Sequence, residues 1–290
     1  RKCCLPRLKN NGSCGNIEHK EQVINLKTEE QKRQEDLQRL RSLRPIDDDF
    51  MRCLFKDNLP LAELVLRIIT DKPDLTVTDF QTQKDMKRLA GARSICLDAY
   101  GTDSSGKKYD MEVQRSDRGA DPRRARFHSS VMDVENLNTG QKFSELPDTY
   151  TIFIVEKDFY GMGEPVYPIE RVNLLTGKPF DDGEHILYVN GEYRGDSDIG
   201  KLMHDFNCTN ADEMSFELLA ARTRYLKENP KGVSEMCKVI EEMRKEEREE
   251  ERLEIAKTML LDGMLPLEKI AEYARLSIDE VRKLQAEQFA

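Results

Sequence analysis

No segment of this chain approaches the roughly 18 consecutive apolar residues of a membrane-spanning helix, and none resembles the apolar core of a signal peptide. Positive charge is also short. Lys and Arg number 46 against 55 Asp and Glu, a net charge of −9 over 290 residues. Phosphate contacts need local positive charge, so an acidic chain is a poor bulk binder of nucleic acid and any such surface must be a local patch. Paired cysteines are missing as well. Cys3, Cys4, Cys14, Cys53, Cys96, Cys208 and Cys237 are odd in number and contain no CxxC pair. That argues against a disulfide framework or a zinc knuckle and for a reducing cytoplasm. Histidine is scarce, and His185 and His204 have no partner at metal-ligand spacing.

What remains is a highly charged chain long enough to bury a sizeable core with appendages. Its most informative stretch is 93–114, RSICLDAYGTDSSGKKYDMEVQ. Ile95-Cys96-Leu97-Asp98 is an apolar run closed by an acid. Thr102 to Gly106 supplies turn chemistry, and Tyr109, Met111 and Val113 then alternate with Asp110, Glu112 and Gln114. Period-two alternation gives a strand with one apolar and one polar face. Folding about Ser104 and Ser105 puts Asp98 opposite Met111 and Glu112, with Gln114 one step further on. Two carboxylates meeting at one spot suit a hard cation. A plain solvent-facing strand would use the same residues. Against that, an acid closing an apolar run is expensive to bury unless something pairs with it.

Along the chain, 1–44 reads as a disordered or helical extension, its first 20 residues outside the fold and the rest, to Leu43, a solvated helix. A core follows over 45–198, then a helical segment over 199–240, then a charged helix and small helical tail over 241–290. In the core, Leu61, Leu64, Val65, Ile68 and Ile69 mark an amphipathic helix behind Pro60. Strands are expected over 75–80, 151–155, 169–174 and 185–189, with Asn190-Gly191 a hairpin turn. A helix is expected over 121–137, with Arg123, Arg124 and Arg126 in its first turns. The run EEMRKEEREEERLE suits a solvated helix laced by i,i+4 ion pairs. Near the end, Pro266 opens one short helix and Ser277-Ile278-Asp279-Glu280 has capping-box spacing for another. With only Arg282 and Lys283 basic in the last helix, this unit suits packing or self-association better than DNA reading.

Asp98 followed by Glu112-Val113-Gln114 resembles the core of the PD-(D/E)XK nuclease superfamily, and more narrowly its transposase-like, recombination-promoting branch, where Gln commonly replaces the motif lysine. The resemblance continues in order. It runs through Ile46-Asp47-Asp48-Asp49-Phe50 and Leu54-Phe55-Lys56-Asp57, the helix over 61–69, and Arg123 to Asp133. It takes in Leu146-Pro147-Asp148-Thr149-Tyr150 through Ile154 as the next strand. The core resemblance covers roughly 46–195, and the tail from Leu260 to Leu284 also looks like the end of some members. Two departures stand out: Leu97 precedes Asp98 where the family has Pro, and Gln114 carries no charge.

The resemblance implies an α/β, restriction-endonuclease-like core: a mixed central sheet flanked by helices, with a C-terminal helical appendage. It implies Mg²⁺- or Mn²⁺-assisted hydrolysis of DNA, linked to mobile elements or recombination. Asp98 and Glu112 would be the metal ligands, Gln114 would orient a water through its amide, and Glu63 would be an auxiliary acid from the first helix. Five arginines, Arg115, Arg118, Arg123, Arg124 and Arg126, form the clearest basic patch for DNA phosphates, since guanidinium binds phosphate bidentately; the same residues also suit surface ion pairs. His128 is a structural histidine or a proton shuttle. The alternative is a catalytically degenerate relative that binds nucleic acid or protein through the same sheet. A third reading is a structural α/β protein whose tail drives self-association.

Overall fold

A computed structural model of the chain describes residues 29–86, 96–115 and 117–288. Residues 1–28, which include the start of the expected solvated helix, and 93–95 of the expected hairpin lie outside them. The architecture is a mixed six-stranded sheet with helices on both faces and a helical C-terminal region, as the fold class requires.

The chain enters through α1 (Glu29–Ser42), α2 (Asp48–Phe55) and α3 (Leu59–Thr70). Pro60 sits in the first turn of α3, where a missing N–H costs nothing. Leu61, Val65, Leu66 and Ile69 recur at helical spacing and are buried. The strands follow: β1 (Val77–Asp85), β2 (Cys96–Asp103), β3 (Lys108–Gln114), β4 (Thr149–Val155), β5 (Val166–Ile169) and β6 (Glu184–Asn190). The order across the sheet is β1-β2-β3-β4-β6-β5. The β1–β2–β3 meander is antiparallel, β3, β4 and β6 are parallel, and β5 returns antiparallel to β6. Between β3 and β4 lies α4 (Pro122–Asn136), with Asp121 as its N-cap accepting the Arg123 N–H.

Strand alternation sorts the core. Tyr109, Met111, Val113, Ile152, Ile154 and Val189 face one way, into the main core with α2, α3, α5 (Asp198–Asn207), α6 (Glu217–Glu228) and the first turns of α7 (Pro230–Asp262). The opposite face is covered by α4. There Ala125 packs with Phe153, Val155 and Tyr188, and Met132 with Leu97 and Tyr100. Asp110 and Glu112, on the expected wet face, are therefore fully buried. The reason is α4, which the strand's own pattern does not announce.

Two other expectations change. The strand expected at 169–174 is instead β5, which begins three residues earlier and ends at Ile169, and an isolated bridge joins Val172 to Pro179 beyond it. Asn190-Gly191 is not a hairpin turn. The Gly191 N–H donates to Val155 O at 2.7 Å, and a Cβ there would lie 2.5 Å from that oxygen. The glycine thus serves a close approach to the end of β4. In addition, α1 is only partly solvated: Leu40 and Leu43 are buried, and Asp36 pairs with Arg244 of α7 at 2.5 Å.

The charged run is the middle of α7, one helix of 33 residues that stops at Gly263 with φ 64°. After it, α8 (Leu267–Ala274) and α9 (Ile278–Gln288) fold back on its end around Ala256, Leu260, Ile270 and Val281. The capping box is present: Glu280 N–H donates to Ser277 Oγ, and Ser277 N–H to Glu280 Oε2 at 2.7 Å.

One polar residue fixes the join of α5 to α6. Asp205 is fully buried, and its carboxylate accepts the N–H groups of Ser215 and Phe216 at 2.8 Å. Asp205→Ala would strand those donors, and leaving a buried donor unpaired costs about 1–3 kcal/mol. The expected outcome is a lower midpoint in urea unfolding; an unchanged midpoint would show that the junction is held by packing alone.

Candidate active site

The β2–β3 turn is built locally. Asp103 accepts the N–H groups of Ser105 and Lys107 at 2.9 Å, and Gly106 takes φ 88°, which a side chain would resist. The ladder then runs from Thr102 opposite Lys108 to Ala99 opposite Met111. Asp98 lies one residue beyond it. There the Asp98 N–H donates to Glu112 Oε1 at 3.0 Å. The expected juxtaposition of Asp98 with Glu112 is therefore present, at the point where the two strands leave register.

Strand β3 and helix α4 complete the cluster. Alternation puts Asp110 beside Glu112 on the face under α4, and a spacing of four puts Arg124 above His128 on the helix. Arg124 Nη2 donates to Glu112 Oε2 at 2.8 Å, and Nη1 donates to Gly119 O at 3.2 Å. Arg124 Nε donates to His128 Nε2 at 3.1 Å. With Nε2 accepting, the ring proton is on Nδ1 and is donated to Asp110 Oδ2 at 2.8 Å. The result is a continuous chain, Glu112–Arg124–His128–Asp110.

Burial sets the protonation. It pushes the Asp98 carboxyl up to about 8, with the Glu112 charge adding to it. Burial and then Asp110 raise Glu112 to about 7. Asp110, wholly inside, lies well above the usual carboxylate range through burial and then Asp98. Burial lowers His128 to about 4, so the imidazole is neutral. From α2, the charges of Asp48 and Arg52 also reach Asp98.

A divalent cation suits this donor set. Asp110 Oδ1 is buried without a partner among the described residues. Oxygen donors of this kind are what a hard cation takes. Asp110, Glu112 and His128 also offer ligand atoms within 4.8 Å of one another. Both nitrogens of His128 are already engaged, so the carboxylates are the available ligands. His204, Asp205 and Cys208 form a second such group, but the Asp205 carboxylate is committed to α6.

The remaining expected site residues separate. Gln114 lies against Gly119, where its amide leaves no room for a side chain. Glu63 is not brought to the cluster. It accepts the Val77 N–H at 2.9 Å and pairs with Arg67 at 2.7 Å, fastening α3 to the start of β1. Arg115 turns to Asp47 at 3.2 Å and Glu156 at 3.8 Å. The side chain of Arg118 lies outside the described residues. Arg123 and Arg126 are exposed, with no side-chain partner among the described residues, whereas Arg124 points inward. Sequence reasoning missed Asp110 and the inward stripe of Arg124 and His128. The signal available was the i,i+4 spacing of a cation and a histidine on the helix after an acidic strand.

A family model described as PD-(D/E)XK nuclease family transposase matches residues 57–269, which takes in every element from α3 through α7. No curated protein and no solved structure matches.

Raised carboxyl pKa values carry a stability consequence. The folded Asp98 holds its proton to about 8, against 3.8 for an unperturbed Asp. Folding is therefore favoured fully below pH ~4, and that contribution is lost as pH rises toward 8. Asp98→Asn removes the titration. In EDTA the variant should unfold at a higher temperature than the parent, by a margin that grows from pH 5 to pH 8. A margin independent of pH would show that Asp98 is not strained in the metal-free chain.

Proposed function

Because the chain belongs to the PD-(D/E)XK nuclease family transposases, we propose that it is a metal-dependent DNA endonuclease linked to mobile-element or recombination chemistry. The observation that carries this reading is the meeting of Asp98 and Glu112 where β2 and β3 part, beside the unpartnered Oδ1 of Asp110. Mg²⁺ or Mn²⁺ held there by Asp98 and Glu112 would polarise the scissile phosphate and acidify the attacking water. The reaction is hydrolysis: a water oxygen bonds to phosphorus, the bond to one sugar oxygen breaks, and that oxygen ends protonated. Gln114 has an amide that can orient the water but no charge to offer.

Arg123 and Arg126 supply the DNA-phosphate contacts in this reading. Both are exposed on the helix that covers the cluster. The C-terminal unit is proposed as a self-association element, since Leu261, Met264 and Tyr273 remain exposed on it. One observation favours a second reading, a non-cleaving DNA-binding relative: the third motif position has no positive side chain.

Asp98→Ala and Glu112→Ala should each abolish cleavage of plasmid DNA in Mg²⁺ or Mn²⁺ while the fold persists, because each removes a ligand and no apolar core side chain. Nicking that survives in both purified variants, or that continues in EDTA, would end the metal-nuclease reading. Binding without cleavage by the parent protein would favour the second reading.

Arg123→Gln with Arg126→Gln should weaken binding to unrelated sequences equally and flatten the slope of log K against log salt by roughly 0.9 per lost phosphate contact. The salt titration is run in Ca²⁺, with cleavage suppressed. An unchanged slope would put the DNA surface on another element.

A further inference from the structure

The positive charge missing at Gln114 is present next door. Gln114 packs against Gly119, and the carbonyl of that glycine accepts Arg124 Nη1 at 3.2 Å. One backbone turn thus holds both the uncharged motif residue and a guanidinium. That guanidinium is fastened more tightly than a surface arginine needs. Nε is bonded to His128, Nη1 to Gly119 O and Nη2 to Glu112. Guanidinium has five N–H donors, so two remain. The side chain is 39% exposed beside a fully buried Glu112, which lets those donors reach a bound molecule.

Behind Arg124 stand two fully buried polar residues, His128 and Asp110. His128 accepts from Arg124 and donates to Asp110, and neither ring nitrogen is left over. Burying an Asp–His pair is costly unless each member is satisfied. Asp110 is not fully satisfied, since Oδ1 has no partner. A purely structural contact between α4 and β3 could be apolar, as Ala125 and Phe153 are nearby. The polar pair instead fixes the imidazole tautomer and so the angle at which Arg124 stands.

We infer that Arg124 is a catalytic residue that supplies, from helix α4, the positive charge absent from the third motif position, and that His128 and Asp110 are positioning residues for it. This rests on the nuclease reading above. Arg124 contacts the scissile phosphate and stabilises the charge that develops on it. In the metal-free chain the same guanidinium is the counter-ion of Glu112, so it competes with a cation for that carboxylate. Its removal therefore has two effects of opposite sign. Cleavage falls, and the cation binds more tightly.

The experiment measures Mn²⁺ affinity by electron paramagnetic resonance and single-turnover cleavage of a defined duplex on the same full-length variants. Arg124→Gln should lose roughly 100- to 1000-fold in rate, the range for removing one preorganised donor to a transition-state oxyanion, while Mn²⁺ binding tightens. Arg124→Lys keeps the charge but not the fork, and should fall between. Gln114→Lys placed in the Arg124→Gln background should recover rate, because it returns a cation to the other side of Gly119. His128→Gln, which keeps an acceptor, should retain more rate than His128→Leu, with KM unchanged in both. Asp110→Asn should likewise lower kcat and not raise KM.

Parental cleavage by Arg124→Gln, or weaker Mn²⁺ binding in it, would overturn the inference. So would failure of Gln114→Lys to recover any rate in a folded double variant. If the parent protein itself does not cleave, the nuclease reading fails. The Mn²⁺ comparison then still decides whether Arg124 competes for Glu112, and equal affinities would overturn that part as well.

Discussion

The structure turns on the burial of two carboxyl side chains, Asp110 and Glu112, on a strand face that helix α4 closes, with Asp98 at its edge. An unpaired ionised group inside a protein costs several kcal/mol even after relaxation. Everything around the cluster answers that cost. Helix α4 brings Arg124 and His128 on one stripe, and Gly119 keeps the preceding turn close enough for its carbonyl to hold the guanidinium. The apolar parts of the same interface, Ala125 against Phe153 and Val155, bring the helix down on the sheet. On the other face, Met111, Val113, Ile152 and Ile154 join a core shared with α2, α3, α5 and α6. That larger core offsets what the polar face costs. A strained, undercompensated site on a well-packed support is the usual relation between function and stability.

Much of this was legible in the sequence, for reasons that differ by element. The β2–β3 hairpin was legible because its turn chemistry is local: Asp103 and Gly106 dictate the reversal whatever surrounds them. Helix α3 was legible because Leu61, Val65 and Ile69 leave no ambiguity of period. The Ser277–Glu280 capping box was legible because both partners lie within four residues. What failed were features decided at a distance. Alternation in β3 says that Asp110 and Glu112 share a face, not that the helix beginning at Pro122 will bury it. Asn190-Gly191 carries the composition of a tight turn, but contact with Val155 O decided its use. Glu63 looked free on its helix until β1 arrived and its carboxylate capped the Val77 N–H.

The arginine run shows the same limit at finer scale. Arg123, Arg124 and Arg126 are alike in sequence and differ only in phase around α4. The phase of Ala125, His128, Ser129 and Met132 is inward. Arg124 sits at the margin of that stripe, four residues before His128, and is drawn in by Glu112. Arg123 and Arg126 fall on the outer side. Arg115, one residue past β3, is taken by Asp47 and Glu156. A patch of five equal cations thus divides into one catalytic candidate, two surface cations and one network member, with the Arg118 side chain outside the described residues.

Charge counting explains why an uncharged Gln114 is consistent with a working site. Burial, and then the Asp98 charge, hold the Asp110 carboxyl well above the usual range, which favours its neutral form over that of a surface acid. His128 is neutral as well. That leaves Asp98, Glu112 and Arg124. In the proposed site, two carboxylates would balance a divalent cation, and the charge of Arg124 would then be free for a phosphate. Had position 114 carried lysine in addition, two cations would share one turn around Gly119, and like charges brought together in a partly buried site repel. The amide at 114 and the guanidinium at 124 are therefore complementary parts of one arrangement. In it, the neutral amide on the strand fills the space beside Gly119, and the charged group on the helix binds that residue's carbonyl.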